Sequence, residues 1–198
     1  MKKIFFLTMI FVCNYSLGQT KISNKGIETD VVFRFQLFKP NQFGNYSLAK
    51  SHEAKLGWGL SLSFLKYDKF RATAGLDYIQ YEVKDNAKLG NFNYSNYLSL
   101  YFNVGYELNL MDNLMLTPNI GYGKVGIYLK TSAQDFGTQS GNEFRIGLIT
   151  DYDLNESFSV FVNATFIKSS LNINTAPEYI DYFGNAKQFQ IGVGLKIH

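Results

Sequence analysis

Histidine beside glutamate, and paired carboxylates near an arginine, are the residues of this sequence with the means for acid–base or metal chemistry. His52 stands next to Glu53, and Asp151 and Asp153 follow Arg145 on the same alternate positions. A catalytic histidine needs a nucleophile and an orienting partner, and a metal needs several ligands converging at defined spacing. Neither pattern surrounds His52, which reads as a solvated loop residue, and His198 is the last residue. No two-histidine metal motif and no phosphate loop of the Walker type occurs. Gly121-Tyr122-Gly123 and Gly192-Val193-Gly194 open no helix and read as strand glycines. Asp151, Asp153 and Arg145 could make a carboxylate site, but an internal ion-pair network accounts for them better. No catalytic residue, metal or cofactor is expected.

Counting positions two by two reveals the wider set to which those charges belong, because successive strand side chains point to opposite faces. Arg34, Lys55, Arg71, Asp77, Glu107, Arg145, Asp151, Asp153 and Lys196 all fall on the polar phase, opposite the bulky apolar residues, and Tyr101 shares that phase. Basic and acidic members nearly balance. Gly57, Gly59, Gly75, Gly105, Gly121, Gly147, Gly192 and Gly194 lie on the same phase and would leave room for long side chains.

The elements that carry them form a meander. Short acidic turns at Tyr67-Asp68-Lys69, Met111-Asp112-Asn113 and Asn155-Glu156-Ser157 recur evenly between alternating runs. Eight strands follow: Val31 to Leu37, Leu56 to Phe64, Phe70 to Tyr78, Leu98 to Leu108, Leu116 to Leu129, Phe144 to Leu154, Phe158 to Phe166 and Phe189 to Ile197. Longer polar loops are expected at about 39–53, 84–96, 131–142 and 168–184. In the fifth strand the apolar phase slips from Leu116, Pro118, Ile120 and Tyr122 to Val125, Ile127 and Leu129, and Lys124 breaks the charge rule. A β-bulge near Gly123 would explain both. Aromatic residues gather near the turns (Phe64, Tyr67, Phe70, Tyr106, Tyr152, Phe158) and near the loops (Tyr78, Tyr81, Tyr97, Phe144, Phe166, Phe183).

Met1-Lys2-Lys3 and the apolar run Ile4 to Val12 read as an export signal, too short for a membrane-spanning helix. Ser16 and Gly18 place cleavage before Gln19, leaving 1–18 as signal peptide and 19–198 as one barrel domain. Removal of Lys2 and Lys3 lowers the formal charge from +3 to +1, so nothing suggests nucleic acid. The single cysteine, Cys13, leaves with the signal, which excludes a disulfide or cysteine metal cluster in the mature protein.

The predicted fold is all-β: an eight-stranded antiparallel up-and-down transmembrane β-barrel. An interior of that size is just wide enough for side chains to fill. An arginine facing lipid at mid-height would cost about 2 to 4 kcal/mol, so the ionic phase belongs inside, as a plug. In these features residues 27 to 198 resemble the small outer-membrane barrels of the OmpA/OmpX type, including the porin-like proteins of Bacteroidota. Gln190-Ile191-Gly192-Val193-Gly194-Leu195-Lys196-Ile197 resembles the family's C-terminal assembly signal, though His198 stands where an aromatic residue is usual. The resemblance implies a monomer in outer-membrane lipid, inserted by the barrel-assembly machinery through its last strand, with loops open to an unknown extracellular ligand. Some such barrels act enzymatically on lipid A, but no His-x-Ser-Asn stretch is present here. The expected function is non-enzymatic, in envelope structure or surface interaction. A narrow pore for ions or small solutes, or a soluble lipocalin-like carrier, is the alternative.

Overall fold

The computed structural model describes residues 26–84, 93–131 and 135–198; the expected signal peptide lies outside the described residues. Ten ladder segments make one sheet: β1 (Val32–Gln42), β2 (His52–Ala54), β3 (Gly57–Tyr67), β4 (Phe70–Val83), β5 (Tyr94–Tyr106), β6 (Leu108–Met111), β7 (Leu114–Lys130), β8 (Asp135–Asp153), β9 (Phe158–Asn172) and β10 (Asn185–Ile197). Two of them continue a neighbour. β2 prolongs β3 along β4, and β6 prolongs β5 along β7, so the sheet has eight staves. Each stave runs antiparallel to the next, and β1 pairs with β10 from Phe33↔Ile197 to Gln42↔Gln188, which closes the cylinder.

The break between β5 and β6 has a local cause. Gly105 pairs with Asn119 and Leu108 with Leu116, so the ladder lapses opposite Pro118, which has no N–H to donate. The amide of Glu107 turns instead to the carbonyl of Lys69, at 2.7 Å. All three acidic turns join staves at one rim, and Asp68 takes the left-handed conformation (φ 53°), which aspartate tolerates in tight turns.

At the opposite rim the strands run further than the sequence suggests. β8 begins at Asp135, which shortens the third loop to the few residues after Lys130. The first loop forms α1 (Ser47–Ser51), and the fourth forms a 3-10 turn (Pro177–Tyr179) leading into α2 (Ile180–Gly184).

The bulge expected near Gly123 is absent. β7 keeps one register with both neighbours through that region, with Tyr122, Lys124 and Tyr128 outward and Val125 and Ile127 inward. What slips is the polarity of the interior. Phe38, Ile79, Tyr81, Tyr97, Val125, Ile127, Leu171 and Ala186 meet under Leu48 of α1 to fill the loop-side end with a packed apolar core. Tyr81 and Tyr97, expected in the loop-side aromatic belt, are 0% exposed within it. Gly57 gives the Phe38 ring its place, because a Cβ there would overlap that ring.

A shift of register does occur elsewhere, between Ser63 and Leu65 on β3. It turns Leu65 outward and brings Lys66 over the turn-side rim, where its ammonium lies 2.7 Å from Glu107. Bulges at barrel rims re-aim side chains in this way.

Candidate functional site

Below the apolar core, the interior holds two ionic layers. In the upper one Arg145, from β8, donates to Asp77 of β4 and, at 2.8 Å, to Glu143 of its own strand. The guanidinium carbon stands 3.8 Å from the centroid of the Tyr101 ring, a cation–π contact across the lumen. Ser99 donates to Glu143 at 2.5 Å, and Tyr97 donates to its other oxygen. Gln36 reaches Asp77 at 3.2 Å and accepts from Asn163 at 3.0 Å, which ties β1 and β9 to the cluster. Gly75 allows Tyr101 to lie flat against the wall, since any Cβ there would collide with its ring.

The lower layer lies towards the turns. Arg34 donates to Ser63 at 3.1 Å and lies 3.4 Å from Asp151, which Lys196 approaches to 3.8 Å. Arg71 donates to Glu107 and, at 2.7 Å, to Asp30 in the segment preceding β1. Between the layers is a cavity of about 40 Å³, bounded by Arg34, Arg71, Arg145 and the amides of Asn103, Asn119 and Asn163. Its size and polar lining suit a little ordered water.

Of the residues singled out by phase, Arg34, Arg71, Asp77, Tyr101, Glu107, Arg145, Asp151 and Lys196 are buried inside the barrel. Lys55 and Asp153 require correction. Lys55 falls in the gap between β2 and β3, outside the strand register, and its half-exposed ammonium pairs with Glu82 on the outer surface. Asp153 is at the turn-side rim, partly exposed, accepting from Ser159 at 2.5 Å. Arg145 therefore does not share a site with Asp151 and Asp153; each has other partners.

His52 also departs from expectation. It is buried under α1, with Nε2 3.0 Å from the Ser95 hydroxyl. Glu143, Asp30 and Lys66 escaped the sequence reading. Glu143 shares the phase of Arg145 and was legible by parity alone, had the strand been extended one residue. Among the described residues, no group of three His, Cys, Asp or Glu side chains could hold a metal ion.

The outer wall is the complement of this interior. Leu100, Ile120, Ile146, Val162, Ile191 and Val193 are each more than half exposed, and none faces another element. Burying charge while exposing aliphatic side chains reverses the arrangement of a water-soluble domain. The fold is that of the small outer-membrane barrels. Neisserial surface protein A matches with a TM-score of 0.60 at 8% identity, over 87% of this chain and 98% of that one. A major outer membrane protein of Thermus thermophilus matches with a TM-score of 0.52 at 11% identity, over 85% of this chain and all (100%) of the other. OprG of Pseudomonas aeruginosa gives 0.50 at 14% identity, over 85% and 95%. No family model and no curated protein matches the sequence. At such identities, the shared feature is the barrel itself.

Asp30, outside the strands, ties the segment before β1 to Arg71. Burial opposes its ionisation, but Arg71 at 2.7 Å outweighs this and holds its carboxyl below the ordinary aspartate value of 3.8. A carboxyl depressed in the folded state stabilises above its unfolded value and loses that contribution as pH falls through the folded one. Asp30→Asn is therefore expected to lower the urea midpoint at pH 7. The difference from the unsubstituted protein should close only as the pH falls below about 4.

Proposed function

We propose that the protein is an integral outer-membrane barrel without catalytic machinery or a continuous channel, acting in envelope structure or surface interaction through its loop-side end. One observation carries this reading: an apolar outer wall encloses an ionic, side-chain-filled lumen. The leader-like N-terminus supports export, and the outward aromatic residues near both rims, among them Phe70, Tyr152 and Phe158 below and Trp58, Tyr122 and Phe144 above, suit the two membrane interfaces.

A pore is the less favoured reading, since the fully buried layer of Phe38, Ile79, Tyr81 and Tyr97 lies across the lumen above the ion pairs. A lipocalin-like carrier is weaker still, because its ligand would have to occupy space filled by Arg145, Asp77 and Glu143. The expected result is a heat-modifiable band in gels and extraction from envelopes only by detergent, with no single-channel conductance in planar bilayers. Recovery of the mature protein from soluble periplasm would reject the membrane reading, and discrete conductance steps would restore the pore.

A further inference from the structure

On five consecutive staves, the first outward side chain beyond the apolar run is a lysine or an asparagine. In order around the barrel these are Lys124 after Tyr122 (β7), Asn142 after Phe144 (β8), Lys168 after Phe166 (β9), Lys187 after Phe189 (β10) and Lys39 after Leu37 (β1). Lys168 and Lys187 are direct cross-strand partners, as are Phe166 and Phe189 beneath them. Like charges placed directly opposite repel unless an anion lies between them. The protein supplies none: no described carboxylate forms an ion pair with any of the four lysines. Lys124 donates to Asn142 at 2.6 Å, Lys39 donates to the carbonyl of Ala54 at 3.2 Å, and Lys187 lies 5.5 Å from the Tyr46 ring centroid.

The opposite side of the same rim is different. There Lys55 pairs with Glu82, and Lys84 with Glu53 at 3.2 Å, so its charges cancel within the protein. Lys124, Lys168, Lys187 and Lys39 thus form an arc without a described carboxylate partner, above Tyr122, Phe144, Phe166 and Phe189, an aromatic row that marks where lipid chains end and headgroups begin.

We propose that Lys124, Lys168, Lys187 and Lys39 form a headgroup-binding arc that holds the phosphates of anionic lipids in the loop-side leaflet. This rests on the membrane reading above. Lysine suits the task as a mobile point charge that reaches phosphates without imposing one geometry. The apolar staves below the arc would receive the acyl chains.

The test is native mass spectrometry of protein released from vesicles of phosphatidylcholine and phosphatidic acid. The unsubstituted protein should retain phosphatidic acid over phosphatidylcholine by about fivefold for each lysine that holds a phosphate, or about 25-fold for two. Lys168→Gln with Lys187→Gln should lower that preference by about fivefold for each lysine removed. Lys55→Gln with Lys84→Gln, on the neutral side, should leave it unchanged. All of these residues are on the outer surface, so the heat-shifted gel band reports folding independently. Equal retention in both double variants, or displacement of the lipid by dilute inorganic phosphate, would overturn the proposal. Insertion without lipid preference would reject the arc alone. Failure to insert in any vesicle would reject the membrane reading and the arc with it.

Discussion

Replacing Arg145 with methionine is expected to destabilise the barrel by about 3 to 5 kcal/mol, because it strands buried carboxylates without their cation. Arg145 is the largest fully buried side chain among the described residues, and it joins Asp77 of β4 to Glu143 of β8 while stacking on Tyr101 of β5. No other described cation forms an ion pair with Asp77 or Glu143. Combining Arg145→Met with Asp77→Asn and Glu143→Gln should restore most of the loss, since neutral partners can keep the hydrogen bonds of Gln36, Ser99 and Tyr97 without unpaired charge. Urea unfolding in lipid vesicles, followed by the fluorescence of Trp58, would measure both variants. A single substitution costing under about 1 kcal/mol would show that the ion pairs carry little of the fold's stability.

Leu148→Arg is the second large effect, expected to cost about 2 to 4 kcal/mol in a bilayer. Leu148 faces outward from β8, between Pro118 of β7 and Ala164 of β9, midway along the apolar run from Phe144 to Leu154. There an arginine can reach neither headgroup layer without distorting the membrane. A water-soluble barrel would instead gain an innocuous surface charge, with an effect within about 0.5 kcal/mol. The same unfolding measurement therefore separates the two readings. Lys124 provides the internal comparison: it is outward on the same wall but beyond Tyr122, at the interface, where charge costs about 0 to 1 kcal/mol.

Period-two patterning made most of the barrel legible because each stave has one face in lipid and one inside, and a one-residue error would exchange them. It failed where that contrast fades. In the loop-side third the inner face turns apolar while the outer face gains polar residues such as Lys124, so Val125 and Ile127 looked like a change of phase although the register is unbroken there. Tyr81 and Tyr97 looked interfacial for the same reason: an aromatic side chain suits either location. The register shift between Ser63 and Leu65 was hidden because Phe64 and Leu65 are both apolar and either can face outward.

By itself, the sequence determined the number of staves, the rim at which the turns lie and the phase on which charge is sequestered, since all three follow from spacing and alternation along the chain. Only the tertiary structure decided which charges meet. Closing the sheet brings residues 77, 101 and 145 together across the lumen, and separates Arg145 from the nearby Asp151 along its own strand. The lysine arc has the same origin: its members are scattered from residue 39 to residue 187 and become neighbours only when β1 pairs with β10. Ladder register and curvature set those distances, and neither is encoded in any single strand.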